Sequence, residues 1–149
     1  MPGTPTTTAR GPMTMIRSLV FLLALACAMS GCSMSANTAT AEQGVATFHS
    51  QLDAGQFTQM YQASSDGLKK ITAEQPFVAF LQGVHGTLGA TKSAKQTDWK
   101  VNYLTRGTFV TLHYKTSFAN GEANEEFVFL VDGQKASLEG YHMNTTSMH

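Results

Sequence analysis

Residues 125–133 read E-E-F-V-F-L-V-D-G, and this stretch decides the fold. Its aromatic and β-branched residues favour a strand from Glu126 to Val131. Asp132-Gly133 is a hairpin turn signal, and the apolar residues after it predict a strand from Ser137 to Met143. Asn120-Gly121 gives a second turn signal before the stretch. The segment therefore predicts consecutive antiparallel strands.

Two more strands are predicted upstream, because apolar and polar residues alternate over residues 99–103 and 110–118. In the second of these, Val110, Leu112 and Tyr114 share one face, and His113 lies on the other. Together with the two later strands they predict a four-stranded antiparallel meander.

Helices are predicted before the sheet. The first spans Ala41 to Ala54, with Thr40 and Gln43 at capping-box spacing, and a second follows over residues 56–63. Residues 64–67 break the chain, Thr72 opens a longer helix with Gln75 at capping distance, and residues 89–96 form a loop. The buried stripe of the longer helix comprises Phe77, Phe80, Leu81, Val84 and Leu88.

Helices followed by strands predict an α+β fold, with the N-terminal helices packed on one face of the sheet. Residues 41–144 form this single domain, and residues 145–149 form a C-terminal tail. The arrangement, with L-E-G-Y-H-M at 138–143 after the D-G turn, resembles the cystatin-like or nuclear-transport-factor-two-like cone fold. It is similar to uncharacterised bacterial envelope families. That fold hosts enzymes, binding modules and oligomerisation domains, so the resemblance implies no single function.

A second informative stretch lies at residues 17–32, R-S-L-V-F-L-L-A-L-A-C-A-M-S-G-C. Its apolar core, residues 19–29, is shorter than the roughly 20 residues of a membrane-spanning helix and has the length typical of a secretory signal. No acidic residue precedes Glu42. Translation starts at Met1, Met13 or Met15, and the sequence leaves that choice open.

Ser30-Gly31-Cys32 resembles the lipobox of bacterial lipoprotein precursors, with Met29 where that family usually has leucine. The resemblance implies that residues 1–31 are an extension and signal peptide, cleaved between Gly31 and Cys32. Cys32 would carry the lipid, including palmitate, and residues 32–40 would form a flexible tether. Ser33 resembles the signal for transfer to the outer membrane, facing the periplasm. The alternative is an ordinary secretory signal with an incidental cysteine.

Composition excludes several function classes. From Ser33 onward, eight basic and ten acidic residues give a net charge of −2, which offers little support for nucleic-acid binding. Cys27 and Cys32 are the only cysteines, so the folded body has no disulfide and no cysteine-based zinc site. The five histidines have no metal-ligand spacing. We expect no metal and no cofactor.

Enzymes of the cone fold place an acid or base between the helices and the sheet. The candidate bases are His113 and His142, because a neutral histidine can accept a proton near physiological pH. His113 should face outward. His142 shares its strand parity with Leu138 but opposes Tyr141 and Met143, so its face stays open. The candidate pocket residues are Tyr61, Trp99, Tyr103 and Tyr114, although burial preference favours ordinary core positions for them.

Glu125 and Glu126 are interpreted as a solvated strand edge that discourages aggregation. With no catalytic constellation in view, we expect a non-enzymatic envelope lipoprotein that binds a partner protein or a small apolar ligand near the membrane. The alternative is a small cone-pocket enzyme, isomerase-like or hydrolase-like, that uses a strand histidine as general base.

Overall fold

A computed structural model describes Gly3 and residues 32–146, with side chains given at Gly3 and over residues 36–145. The predicted signal peptide, the cleavage site at Gly31 and the side chain of Cys32 lie outside the described residues. The described residues from Met34 onward form one compact unit. In the described part of the chain, the elements are α1 (Cys32–Asp53), α2 (Phe57–Ala63), α3 (Asp66–Ile71), α4 (Glu74–Leu88), β1 (Thr91–Leu104), β2 (Gly107–Phe118), β3 (Gly121–Asp132) and β4 (Lys135–Thr146).

The four strands form one antiparallel sheet in the order β1-β2-β3-β4. Consecutive strands are neighbours, so each is joined to the next by a tight turn. Gly133 follows β3 with a φ of +59°, a left-handed conformation that glycine adopts without steric cost. This architecture confirms the predicted α+β fold, with N-terminal helices and a four-stranded meander.

Burial alternates along the two central strands and identifies the face that the helices cover. In β2, Val110, Leu112, Tyr114 and Thr116 are buried, whereas the alternating residues 111, 113 and 115 are partly or fully exposed. In β3, Ala123 and Phe127 are fully buried by the same alternation. Residues paired across strands share a face, so these side chains form the floor of one core. The predicted parity of β2 is confirmed.

Helix α1 crosses the sheet in a direction that three contacts define. Near its end, the Asp53 carboxylate accepts a hydrogen bond of 2.9 Å from the Thr91 backbone N–H at the start of β1. Further back, Gly44 packs closely against Phe129 and Ala136. Gly44 therefore lies near the end of the sheet that carries the β1–β2 and β3–β4 turns, and Asp53 lies at the opposite end.

The structure has helix where the sequence predicted a flexible tether, because α1 begins at Cys32 and not at Ala41. Thr38, Ala41 and Val45 are buried on one helix face at spacings of three and four residues. Threonine and alanine contribute little to a hydrophobic pattern, so the sequence underestimates this stripe. Burial of these small residues explains why the helix starts earlier.

The connection between α2 and α4 also differs from the prediction. The predicted break contains the start of a short helix, α3, whose N-cap Ser65 accepts a hydrogen bond from the Leu68 backbone N–H. Thr72 ends α3 and does not cap α4, whose N-cap is Ala73. Strand β1 begins at Thr91, inside the predicted loop.

Candidate binding site

Strand β4 contains a β-bulge that decides which of its side chains face the helices. Leu138 pairs with Phe129, but Gly140 pairs with the preceding residue of β3, so Glu139 is an extra residue without a partner. The bulge reverses the alternation, and Leu138 and Tyr141 therefore share the helix-facing side. His142 is exposed on the opposite side. The bulge resolves the parity conflict that the sequence left open.

A buried carboxylate lies between α1 and the sheet. The Glu125 side chain is 0% exposed and receives three hydrogen bonds. His49 Nε2 donates to Oε2 at 2.8 Å, Tyr141 Oη donates to Oε1 at 2.6 Å, and the Thr116 hydroxyl also donates to Oε2. A buried carboxylate is costly unless such donors satisfy it. We call these four residues the buried polar network.

The network holds Tyr141 as a neutral donor. Burial, followed by the charge of Glu125 and the hydrogen bond to it, raises the pKa of the Tyr141 hydroxyl well above its ordinary value. Around it, Phe48 packs against Tyr141 at a centroid distance of 4.6 Å and Phe127 at 5.0 Å. Polar and aromatic contacts together fix the orientation of the Tyr141 ring.

Tyr141 also lines an apolar cavity of about 190 Å³ between α3, α4 and β4. We call it the α3–α4 cavity. Ile71 and Phe80 are 80% and 45% exposed, although both are large apolar residues, and Phe80 packs against Tyr141 at a centroid distance of 6.0 Å. The lining residues are Leu68, Ile71, Thr72, Pro76, Phe77, Phe80, Glu139, Gly140, Tyr141 and His142.

Two other cavities are more polar. One, of about 300 Å³, lies between α1, α2 and the start of β4, and glutamine and threonine side chains of α1 form much of its wall. The other, of about 370 Å³, surrounds the start of α3. Lys70, Arg106 and Lys135 line it together with Asp66, Asp132 and Glu139, so the cations face an equal number of acids.

The two candidate strand histidines do not enter the helix–sheet layer. His113 is on the outer face of β2, with its Nδ1 3.7 Å from Glu126 Oε2, and His142 is exposed on β4. His142 nevertheless lies at the wall of the α3–α4 cavity. Among the histidines that the structure describes, the one that reaches the core is His49, on α1.

The four candidate pocket residues are not brought together. Tyr61 lies among the helices and donates to the Thr72 carbonyl oxygen at 2.9 Å, and Tyr114 is in the core of the sheet and donates to Gln96 Oε1 at 3.1 Å. Burial, followed by the charge of Glu42, raises the pKa of Tyr114. Trp99 and Tyr103 are exposed on β1. None of the four lines the cavities above.

Sequence reasoning missed His49 and Glu125. The interpretation of Glu125 as part of a solvated edge is wrong, because Glu125 is buried. Ala123 and Phe127, which lie two residues before and after it on the same face of β3, are fully buried. The alternation of Ala123, Glu125 and Phe127 in the sequence was the signal that could have placed Glu125 on the buried face. His49 lies beside Phe48 and three residues before Leu52, on the apolar face of α1, which gave a comparable signal.

Two further features of the described residues bear on the site. Within residues 36–145, no group of three or more histidine, cysteine, aspartate or glutamate side chains has an arrangement that could hold a metal ion. Among the described helices, none combines the length and the apolar character that crossing a bilayer requires.

A family of proteins of unknown function, DUF4019, matches residues 45–141. The chain belongs to this family. No curated protein matches it. The DUF4019 region begins at Val45 in α1 and ends at Tyr141, so it contains the whole buried polar network and every lining residue of the α3–α4 cavity except His142.

Proposed function

We propose that this chain is a lipid-anchored protein of the cell envelope that binds a partner protein through the α3–α4 cavity. The observation that carries the proposal is the exposure of Ile71 and Phe80 beside an open apolar cavity whose wall includes Tyr141. Exposed apolar clusters of this kind are typical of binding sites.

The volume of the cavity favours a protein over a free small molecule. About 190 Å³ is below the range of roughly 300–1,000 Å³ typical of small-molecule sites, but it accommodates one apolar side chain. The cavity also borders β4, an edge strand that pairs only with β3 in the described sheet. An extended segment of the partner can therefore lie along β4 and insert an apolar residue into the cavity, against the walls that Phe80 and Tyr141 form.

The proposed anchor is an acyl group on Cys32, in an outer membrane whose inner surface faces the periplasm. Residues 34–40 lie in α1, and seven helical residues span about 10 Å, whereas an extended chain of that length spans about 25 Å. The helical connection supports a domain that stays near the bilayer. The partner is then a component of the same envelope.

Replacing Cys32 tests the anchor. We expect Cys32→Ser to abolish labelling by a palmitate analogue and to release the protein into the soluble periplasmic fraction. Cys27→Ser is the matched control, because Cys27 is the other cysteine of the chain, and it should remain labelled and membrane-bound. Labelling or unchanged membrane partition of Cys32→Ser would contradict the anchor.

Site-specific photocrosslinking in cells tests the binding site. A photoreactive residue at Ile71 should form one discrete protein adduct, whereas the same residue at exposed Thr87, on the far end of α4, should not. Adding Phe80→Asp to the Ile71 probe should remove the adduct, because a carboxylate then occupies the cavity mouth. An adduct that persists with Phe80→Asp, or that forms equally from Thr87, argues against the cavity as the binding site.

A further inference from the structure

The cavity between α1, α2 and the start of β4 differs in chemistry from the α3–α4 cavity. Its volume of about 300 Å³ reaches the lower end of the range typical of small-molecule sites. Residues of α1, residues 60–64 and residues of the β3–β4 hairpin line it, and we call it the α1–α2 cavity. Among the described residues, none lines both this cavity and the α3–α4 cavity, so the two are separate candidate sites.

The rim of the α1–α2 cavity is polar but almost uncharged. Neutral polar residues recur on α1 at spacings of three and four residues, which places their side chains in one stripe along the helix: Thr40, Gln43, Thr47 and Gln51. Gln134, in the β3–β4 turn, lines the same cavity. Lys135 is the only charged residue among the described lining residues. Such a rim offers many hydrogen bonds and little attraction for an ion, which favours an uncharged polar ligand.

Hydrogen bonds within α1 determine how the hydroxyl groups of the rim can act. The hydroxyls of Thr40 and Thr47 donate to backbone carbonyl oxygens one turn earlier in the helix, at 3.0 and 2.9 Å. Each hydroxyl proton is thus engaged, and each hydroxyl oxygen keeps a lone pair as an acceptor. The side-chain amides of Gln43, Gln51 and Gln134 make no hydrogen bond within the part of the chain that the structure describes, and each offers donors and an acceptor.

The floor of the α1–α2 cavity is apolar and buried. Phe48 and Met60 contribute to it from α1 and α2, and Phe129 and Leu138 contribute from the hairpin, all at most 6% exposed. A pyranose sugar has the complementary chemistry, because C–H groups cover the faces of its ring and hydroxyl groups surround its edge. A sugar hydroxyl can donate to a threonine oxygen while it accepts from a glutamine amide. An extended peptide carries its donors and acceptors along one line, whereas this rim offers them from two separate elements.

We propose that the α1–α2 cavity binds an uncharged sugar residue of a glycan, with glutamine amides and threonine oxygens at its hydroxyl groups and the apolar floor against a face of its ring. The described lining contains no carboxylate that would attract a cation, and the Lys135 ammonium can donate to a hydroxyl group. This site goes beyond the proposed partner-binding site. Because the two cavities are separate, a sugar and a partner protein can bind at the same time.

Titration with two uncharged disaccharides tests the site. Cellobiose carries only hydroxyl substituents, and N,N′-diacetylchitobiose adds acetamido groups, so the pair distinguishes the two kinds of sugar. Backbone amide NMR signals of the protein as isolated from the cell are followed up to about 20 mM disaccharide. We expect at least one disaccharide to bind with a millimolar Kd and to shift signals of α1 and of the β3–β4 turn.

An uncharged peptide, N-acetyl-trialanine amide, tests the alternative ligand class. It offers donors and acceptors of the same strength without a sugar ring, and we expect it to leave the signals of α1 and the β3–β4 turn unchanged. Absence of binding by both disaccharides would overturn the proposal. Binding of the peptide at these residues with equal or higher affinity would overturn it as well.

Substitutions on the rim assign the binding to this cavity. Gln43→Leu and Gln51→Leu, made together, remove two amides with little change in size, and they should weaken binding of the disaccharide at least about fivefold. Gln75→Leu and Gln82→Leu, made together, are the matched control, because both positions are exposed on α4 and outside the cavity, and they should leave the affinity unchanged. Equal affinities of the two double variants would contradict the site.

Two single substitutions complete the test. Thr47→Val keeps the shape of the side chain and removes one acceptor, so it should weaken disaccharide binding about two- to tenfold even if the double rim variant does not fold. Phe80→Asp changes the α3–α4 cavity and should leave disaccharide binding unchanged. Wild-type affinity in Thr47→Val, or loss of sugar binding in Phe80→Asp, would contradict a separate sugar site in the α1–α2 cavity.

Discussion

The Tyr141 hydroxyl donates a 2.6 Å hydrogen bond to Glu125 Oε1, and this bond joins the wall of the α3–α4 cavity to the protein core. The same carboxylate accepts a hydrogen bond from His49 on α1. Tyr141 is thus held by a carboxylate that is itself held by a helix, which makes the cavity wall rigid before any partner binds. A preformed wall lowers the entropic cost of binding.

Removing the carboxylate should destabilise the fold strongly. In Glu125→Leu, the donors on His49, Thr116 and Tyr141 lose their common acceptor in a buried site, and we expect the free energy of unfolding to fall by about 3–5 kcal/mol. Urea denaturation measures this change. Glu126→Leu is the matched control, because its side chain is 39% exposed, and it should cost less than about 1 kcal/mol. Similar losses in both variants would contradict the network.

Stability should decline at alkaline pH because of Tyr141. Its pKa is raised in the folded state, so above the ordinary tyrosine value of about 10 the unfolded chain releases a proton that the folded protein retains. The free energy of unfolding then falls as pH rises, by up to about 1.4 kcal/mol per pH unit for this group. Tyr141→Phe should reduce the slope, measured by denaturation between about pH 9.5 and 11. An unchanged slope would contradict a buried, neutral Tyr141.

The sheet and its order were predictable because they depend on signals that are local in sequence. The turn signals at Asn120-Gly121 and Asp132-Gly133 are close to the observed turns, and the alternation in β2 matches its burial. The early start of α1 was not predictable from apolar residues, because Thr38 and Ala41 form its buried face there. Small side chains give a helix stripe little hydrophobic contrast.

The site was harder to predict because it depends on non-local pairing. The face of His142 could not be settled without the bulge at Glu139, and a bulge is defined by register against β3. Glu125 and His49 are 76 residues apart in sequence, so nothing local connects them. The exposure of Phe80, which the helical pattern placed in the core, likewise depends on where α4 lies relative to β4.

The close approach of α1 to the sheet depends on Gly44. A Cβ at this position would lie 2.8 Å from Phe129 Cε1, and Phe129 is buried and cannot move freely. We expect Gly44→Ala to lower the free energy of unfolding by about 1–3 kcal/mol. Gly83→Ala, on α4 with open space around it, should instead raise it by about 0.5–1 kcal/mol. Thermal denaturation of both variants tests the packing, and stabilisation by Gly44→Ala would contradict it.

Glu139 should be energetically coupled to Gly67 across the α3–β4 contact. Its carboxylate accepts a 2.5 Å hydrogen bond from the Ser65 hydroxyl and occupies the space that a Cβ on Gly67 would need. Gly67→Ala should therefore cost about 1–2 kcal/mol in the wild type and much less in a Glu139→Ala background. A double-mutant cycle measured by urea denaturation gives the coupling. Additive effects of the two substitutions would show that the side chains do not compete.

The measurement that tests the central claim most directly is calorimetric titration of the protein with a synthetic peptide, the partner segment recovered from the Ile71 adduct. We predict one-to-one binding that Phe80→Asp weakens by at least about tenfold, because the peptide's apolar side chain can no longer enter the cavity. Glu122→Gln, on the outer face of β3 and ion-paired with Lys115, should leave the affinity unchanged. Equal affinity of the wild type and Phe80→Asp would contradict binding through the α3–α4 cavity.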